Sequence, residues 1–145
     1  MDRLNQVAGR LANLLARGAV MMANAAGKMQ ILQVSLLADE KKQLEHFEPF
    51  GFTSCPKPGA EVLAAFLDGD RSHGVVIVAA DRRYRVQGLA AGDSALYDAH
   101  GHEIRLTASG IEIRANGSPV LVNDGDVIVT GGDVIADGVS LKSMS

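Results

Sequence analysis

The chain has 145 residues, of which 47% are hydrophobic and 4% aromatic, and a formal net charge of -3. One or two small domains fit this length, the acidic balance argues against a nucleic-acid-binding protein, and a single cysteine, Cys55, excludes an intrachain disulfide framework and a cysteine-based zinc site. No apolar run reaches the roughly 18 residues of a bilayer-spanning helix, and the N-terminus lacks the features of a signal peptide, so we expect synthesis in a cytoplasm.

Residues 1–15 predict a short amphipathic helix. Its apolar residues fall on one stripe, namely Leu4, Val7, Leu11, Leu14 and Leu15. Arg3, Arg10 and Arg17 recur at a spacing of seven, which fits either a solvated face or a docking face toward a larger assembly.

For residues 16–98 the sequence predicts a small closed β-barrel of the OB type, built from around five short strands. The first two strands form a hairpin, in which Ala19–Met22 and Met29–Leu37 are joined by a turn on residues 24–27. The highly charged segment Asp39–Glu48 predicts a surface loop or a helical turn.

The second half of this barrel is marked by turn residues. Pro56 and Pro58 make a stiff, extended entry to residues 60–67, whose composition fits either a helix or a strand. We predict a strand, because a turn signal at Asp68–Asp70 follows directly. The apolar run Gly74–Ala80 predicts a buried strand. OB barrels often bind oligonucleotides, but the few aromatics and the acidic balance argue against that use here.

Three polar motifs resemble sites but lack the partners that the chemistry requires. No motif places a base beside Cys55, so we predict no nucleophilic thiol. Asp68–His73 holds Asp, Ser and His in one turn, where adjacency does not build a catalytic triad and the remaining EF-hand ligands are missing. His100 and His102 form a pair without a third metal ligand nearby. We therefore predict no catalytic, cofactor-binding or metal-binding residues.

The last forty-odd residues repeat with a period of seven. Lines of seven from Ile104 read IRLTASG, IEIRANG, SPVLVND, GDVIVTG, GDVIADG and VSLKSMS. The third position is always a large aliphatic residue: Leu106, Ile113, Val120, Val127, Val134 and Leu141. The seventh position is nearly always a turn former: Gly110, Gly117, Asp124, Gly131, Gly138 and Ser145.

This period does not predict a coiled coil, because glycine recurs in nearly every line and Pro119 interrupts the third. Apolar residues alternate at spacing two, as in Val120 and Val122, which indicates short strands separated by tight turns. A single chain would leave open sheet edges. We therefore predict that residues 99–145 form an intertwined triple-stranded β-helix in a homotrimer, with the third-position residues on the three-fold axis. The alternative is an ordinary β-meander in one globular domain.

Five segments then carry a family resemblance: LQVSLLADE (32–40), FGFTSCPKPGAE (50–61), DGDRSHGVVIVAADRRYR (68–85), ALYDAHGHEIRLT (95–107) and GDVIADGVSLKS (132–143). In this order they resemble the baseplate assembly protein V family of Mu-type contractile-tailed phages, the central tail-spike proteins. The resemblance covers most of the chain beyond about residue 28. It implies an all-β homotrimer with an N-terminal OB domain and a C-terminal triple-stranded β-helix.

The resemblance also implies a location and a task. The protein would sit in the virion, at the tail baseplate beneath a hub protein, and would be pushed through the host outer membrane on sheath contraction. Family members commonly continue into an apex where three chains bind an iron ion through an HxH loop. Here the sequence stops soon after Lys142, and His100 and His102 do not match that loop. We therefore predict no iron site, and expect either a shortened chain or a separate tip protein.

Three other functions remain open to test. The same features fit the spike of a phage-tail-like bacteriocin. A trimeric carbohydrate-binding tail adhesin would need an exposed aromatic or polar site, which the aromatic-poor stem offers poorly. A cell-wall hydrolase would need paired carboxylates in a pocket, and the barrel and stem already account for the chain, so we predict a protein that is not an enzyme.

Overall fold

The computed structural model describes residues 2–66 and 73–144. The chain divides into two compact units, Met1–Leu89 and Ala90–Ser145. The predicted domain boundary at residue 98 stays a prediction. Among the described residues, the one α-helix is too short to cross a bilayer.

The first unit begins with the predicted helix and hairpin, and both are confirmed. Helix α1 spans Asp2–Leu14 and leads without a loop into strand β1, Leu15–Asn24. The chain turns back into β2, Gln30–Ser35, which pairs antiparallel with β1. Asn24 begins the turn by accepting a hydrogen bond from the backbone N–H of Ala26 onto its side-chain oxygen.

The charged segment that follows is a strand, so the prediction of a surface loop or helical turn for Asp39–Glu48 is wrong. After a 3-10 turn at Leu37–Asp39, strand β3 spans Lys41–His46. Its outward positions carry polar side chains, while Leu44 and His46 point into the barrel. A strand with one side in water tolerates charges at every second residue, and only Leu44 gave an apolar signal.

Two further strands close the barrel where we predicted them. Strand β4 spans Glu61–Phe66 and strand β5 spans Gly74–Ala80. The strand order is β1-β2-β3-β5-β4 and back to β1. All pairs are antiparallel except β3 and β5. Closure removes free sheet edges, and the predicted five-stranded small barrel is confirmed.

The barrel interior is a dry aliphatic core with one phenylalanine. Burial alternates strictly along β2 and β4, as expected of strands with one face inward. The core comprises Val20, Leu32, Val34, Leu36, Leu44, Ala60, Val62, Ala64, Phe66 and Val76. Each fully buried Val, Leu or Phe contributes about 1.5–3 kcal/mol relative to exposure. This core makes the first unit self-sufficient within one chain.

One polar pair interrupts the apolar interior. Gln30 and His46 are 5% and 6% exposed, and His46 Nδ1 lies 2.9 Å from Gln30 Oε1. The Gln30 amide nitrogen donates to the carbonyl oxygen of Ser54 at 2.7 Å, which leaves its oxygen as the acceptor for the imidazole. In this arrangement the Nδ1–H group of His46 donates to the Gln30 oxygen. The pair thereby links β2 and β3 to the loop that contains Ser54.

The second unit opens with a three-stranded antiparallel sheet. Its strands are β6 (Ser94–Tyr97), β7 (Glu103–Thr107) and β8 (Gly110–Arg114). β7 and β8 correspond to the first two lines of seven and pair with each other in a hairpin. Within one chain, this part follows the meander that we gave as the alternative.

The rest of the second unit has little regular structure. Residues 115–134 contain no strand, so the prediction of a strand in every line of seven is wrong for the isolated chain. Strands β9 (Ile135–Ala136) and β10 (Val139–Ser140) form a short hairpin before a 3-10 turn at Leu141–Met144. The intervening backbone has no neighbouring strand edge in its own chain with which to form a ladder.

Replacing Gln30 with leucine tests the buried polar pair. The variant Gln30→Leu leaves His46 Nδ1 and the Ser54 carbonyl without partners, which should lower the free energy of unfolding by about 1–3 kcal/mol. The matched variant Gln43→Leu alters an exposed glutamine of β3 and should change stability little. Denaturant unfolding monitored by circular dichroism measures both. Equal stability of the two variants would contradict the assigned network.

Candidate assembly site

The backbone of the second unit repeats with the same period as its sequence. The dihedral φ is positive at the seventh position of five successive lines: Gly110 (134°), Gly117 (80°), Asp124 (60°), Gly131 (72°) and Gly138 (82°). A left-handed conformation costs a residue with a Cβ about 1–2 kcal/mol, and aspartate tolerates it better than most residues. The predicted turns at this position are confirmed, and they set segments of equal length between them.

The third-position residues lie unburied in the single chain. Their exposed fractions are 42% for Leu106, 57% for Ile113, 59% for Val120, 71% for Val127, 40% for Val134 and 51% for Leu141. In contrast, all eleven buried hydrophobic residues of the described chain lie between Val20 and Val86. Among residues 90–142, whose burial the structure describes, the second unit therefore buries no hydrophobic side chain on its own. The assignment of the third position to a trimer axis stays a prediction.

The sheet of the second unit has one apolar and one charged face. Cross-strand neighbours on the apolar face are Leu96, Ile104 and Ile113, followed along the strands by Leu106 and Ile111. The opposite face carries ion pairs within strands, with Arg105 Nε 2.5 Å from Glu103 and Arg114 Nε 3.0 Å from Glu112. The Arg105–Glu103 pair is half-buried, whereas the Arg114–Glu112 pair is exposed and adds little stability. The apolar face is the one that needs a cover.

An open hollow of about 400 Å³ lies over part of this apolar face. Its walls include Leu96, Ile104, Ile113, Pro119 and Val120. Two of these five residues, Ile113 and Val120, belong to the third position of the repeat. Apolar side chains of another molecule fit this hollow better than a polar ligand does, because its wall is predominantly hydrocarbon.

The histidine pair lies in a loop organised by one carboxylate. Asp98 accepts hydrogen bonds from the backbone N–H groups of His100 (2.8 Å) and His102 (3.0 Å) and from His102 Nδ1 (2.7 Å). Partial desolvation acts to raise the pKa of Asp98, but these hydrogen bonds outweigh it and lower the pKa from 3.8 to about 2. Asn116 ties the loop to the β8 end by donating to the His100 carbonyl at 3.0 Å.

Ser118, in the turn that follows β8, lies beside this loop in the order Asp98, His102, Ser118. Ser118 Oγ lies 3.4 Å from His102 Nε2, opposite the Asp98 contact. The backbone N–H of Ser118 donates to the Ala115 carbonyl at 2.8 Å, so it does not face an oxyanion site. No group of three potential metal ligands occurs among residues 2–66 and 73–144. The hydrogen bonds around Asp98 close the loop between β6 and β7.

A second carboxylate, that of Asp133, organises the hydrogen bonds around β9, β10 and the last 3-10 turn. Asp133 accepts hydrogen bonds from the backbone N–H groups of Val134 (2.8 Å) and Lys142 (3.0 Å) and from the Ser140 hydroxyl. The Ser140 hydrogen bond is the main reason that the pKa of Asp133 is lowered. This local clasp holds β9, β10 and the 3-10 turn together.

The remaining candidate residues do not gather into a site. Cys55 is exposed and unpaired by any disulfide. Of the Asp68–His73 motif, only His73 belongs to the described residues, so the predicted turn there lies outside them. The sequence identified the third-position column, whose place on a trimer axis stays a prediction, whereas the hydrogen-bonded turns around Asp98 and Asp133 were missed. Their signal was an aspartate at the start of a turn, a weak pattern in a glycine-rich segment.

Comparison with known proteins adds independent information. Residues 17–83, which hold nearly the whole barrel, match the family model described as Bacteriophage Mu Gp45, N-terminal. The chain is 43% identical over 102 residues to the baseplate puncturing device gp45 of Escherichia phage Mu, covering 70% of this chain and 52% of that protein. It is 41% identical over 98 residues to the Mu-like prophage FluMu protein gp45 of Haemophilus influenzae, covering 67% and 53% respectively. The chain thus spans about half the length of the curated relatives it matches.

The pH dependence of stability tests the Asp98 clasp. Because the folded pKa is lowered from 3.8 to about 2, ionised Asp98 stabilises the fold above pH 3.8, and this contribution is lost as the pH falls toward 2. The variant Asp98→Asn has no carboxylate to titrate at this position. Its melting temperature should therefore fall less steeply than that of the wild type between pH 3.8 and about 2. Asp126→Asn, at an exposed position of the same unit, should keep the wild-type slope. If the melting temperature of Asp98→Asn depends on pH as steeply as that of the wild type, the stabilising role assigned to ionised Asp98 is wrong.

Proposed function

We propose that this chain, whose residues 17–83 match the family model described as Bacteriophage Mu Gp45, N-terminal, forms a homotrimeric central spike of a contractile tail. The observation that carries the proposal is the uncovered third position of the repeat. Six large aliphatic residues are between 40% and 71% exposed in one chain. Burying one such residue is worth about 1.5–3 kcal/mol, so three chains wound together gain several such contributions per layer.

Symmetry explains how the proposed trimer uses this column. In a closed three-fold stem, the third-position residues of the three chains meet on one axis, and every strand edge finds a neighbour. Columns two and six of the lines are largely polar, with Asp126 and Thr130 in the fourth line. Those residues then face water. The equal spacing of the left-handed turns keeps all lines in register along the axis.

The proposed task is mechanical, and it involves no catalysis. A stem whose backbone groups are paired between chains resists bending, because axial force is shared by many hydrogen bonds. We place the spike at the tail baseplate of a virion, with a hub protein above the barrel domain. On sheath contraction the stem would pass through the host outer membrane.

The bacteriocin and adhesin alternatives lead to different expectations. A phage-tail-like bacteriocin would use the same trimer, so the present proposal covers its spike as well. A carbohydrate-binding adhesin would need aromatic or polar side chains on the stem. Between residues 98 and 145 the sequence has no Phe, Tyr or Trp, which favours the mechanical role.

A charge on the proposed axis tests the trimer directly. The variant Val127→Asp would bring three carboxylates together in an apolar core, which should abolish or severely weaken assembly. Ile128→Asp is the matched control: this residue is 79% exposed against 71% for Val127, but belongs to the fourth position and would face water. Light scattering should find the control trimeric and Val127→Asp dissociated. A trimeric Val127→Asp with unchanged melting temperature would rule out the axis assignment.

A further inference from the structure

Two turns lie side by side at one end of the barrel, one before β4 and the other after β5. The first is closed by a hydrogen bond from the Ala60 N–H to the Lys57 carbonyl, and the second by one from the Tyr84 N–H to the Asp81 carbonyl. The antiparallel pairing of β4 with β5 brings the two turns together. Every residue of both turns is described, and the undescribed residues 67–72 connect the other ends of the two strands.

Charged side chains of these turns pair with one another. Arg82 donates to the Glu61 carboxylate through Nε at 2.8 Å and Nη2 at 2.9 Å, and Arg17 Nη2 lies 3.4 Å from the same carboxylate. Arg83 donates to the Asp81 carboxylate through Nε at 2.9 Å and Nη2 at 2.7 Å. These side-chain hydrogen bonds lower the pKa of both carboxyl groups, so both are ionised at neutral pH. We call these five residues, together with Lys57, the turn cluster.

Arg83 is held in place by both turns. Besides its contacts to Asp81, its Nη2 donates to the Pro58 carbonyl oxygen at 2.9 Å. Gly59 makes room for the guanidinium, because its φ is 92° and a Cβ at this position would lie 3.1 Å from Arg83 Nη1. Within the described chain, Nη1 itself has no hydrogen-bond acceptor. A guanidinium that is already fixed and keeps free donors loses little conformational entropy when it binds an anion.

The Tyr84 ring brings a second cation close to Arg83. The Arg83 guanidinium carbon lies 5.3 Å from the ring centroid, and the Lys57 ammonium lies 5.7 Å from it. Each cation is attracted by the ring, but the two like charges repel each other. In the part of the chain that the structure describes, no carboxylate lies at ion-pairing distance from Lys57. An anion supplied by another molecule would relieve this repulsion.

A recess in the turn cluster is large enough for a carboxylate. It has a volume of about 280 Å³. Arginine matches the oxygens of carboxylates and phosphates, and its charge-assisted hydrogen bonds are stronger than neutral ones. The recess is lined by Gly59, Glu61, Ala80, Asp81, Arg82 and Arg83.

We propose that the turn cluster docks an acidic segment of a neighbouring tail protein, whose carboxylates bind Lys57, Arg82 and Arg83. The inference rests on the proposed function only in taking the partner to be a tail protein. Four cations against two carboxylates give the cluster an excess of positive charge in a chain whose net charge is -3. Complementary charge of this kind selects an acidic partner and fixes its orientation.

The two carboxylates of the cluster favour a protein partner over a lipid surface. An anionic membrane presents a uniformly negative surface, which attracts clusters of lysine and arginine without interspersed acids. Glu61 and Asp81 are ionised and would repel such a surface. A protein partner can place a hydrogen-bond donor opposite each of these two carboxylates and its own carboxylates opposite the cations.

Binding of a fluorescein-labelled pentaglutamate peptide tests this surface. In fluorescence anisotropy at low ionic strength, the double variant Lys57→Ala, Arg82→Ala should bind the peptide about tenfold more weakly than the wild type, because charge-assisted hydrogen bonds are lost. The matched double variant Lys28→Ala, Arg114→Ala also removes an exposed lysine and an ion-paired arginine, and it should bind as the wild type does. An equal loss in both double variants, or no binding by the wild type, would overturn the proposal.

Removing a carboxylate from the cluster should have the opposite effect. Glu61→Gln takes away the intramolecular partner of Arg17 and Arg82, so the peptide should bind severalfold more tightly than to the wild type. Glu45→Gln removes the same charge from the exposed face of β3 and should leave the affinity unchanged. Equal affinities of the two variants would show that the peptide responds to net charge and that the turn cluster is not its site.

Vesicles that contain phosphatidylglycerol separate a protein partner from a lipid one. If the wild type sediments with these vesicles through Lys57 and Arg82 but does not bind the peptide, the cluster recognises a membrane and the proposal is wrong. The outcome is also independent of the proposed trimer, because all residues of the cluster lie in the first unit of one chain. A wild type that is monomeric by light scattering but binds the peptide through Lys57 and Arg82 would contradict the homotrimer and leave the docking surface standing.

Discussion

The aliphatic column at the third position of the repeat, which one chain leaves exposed, is the constraint that the proposed trimer has to satisfy. The first unit satisfies its own hydrophobic residues inside a closed barrel, from Val20 to Val86. The second unit has comparable aliphatic content but buries none of it in one chain. Large aliphatic residues and positive φ angles, each recurring at every seventh residue, are the basis on which we propose the homotrimer.

The contrast between the units has a simple geometric origin. Strands that close into a barrel give each inward side chain a neighbour across a small interior, so five short strands suffice. Segments of four residues between turns are too short to build a second layer in their own chain. They form a hairpin where two lines meet, at β7 and β8, and a shorter one at β9 and β10, whereas residues 115–134 contain no strand. The Asp98 and Asp133 clasps fix loops at the two ends of this unit without adding any apolar burial.

The sequence predicted those elements that are marked by a run or period of apolar residues, or by turn-forming residues at their ends. Strand β4 was distinguished from a helix by the glycine before it and the turn signal after it, and β5 by a continuous apolar run. Strand β3 was missed because its outward face is charged and only Leu44 marks the inward one. The exposure of Phe50 could not be predicted at all, because an apolar residue next to a strand is ordinarily buried. Its exposure follows from the turn geometry at Gly51.

The solution mass of the unmodified chain tests the central claim most directly. One chain has a mass of 15.2 kDa, and multi-angle light scattering should give three times that value across a range of concentrations. A concentration-independent trimer would agree with a stem whose chains fold together. A well-folded species of 15.2 kDa, with the second unit protected from proteolysis, would contradict the account, because it would show that one chain covers its own aliphatic column.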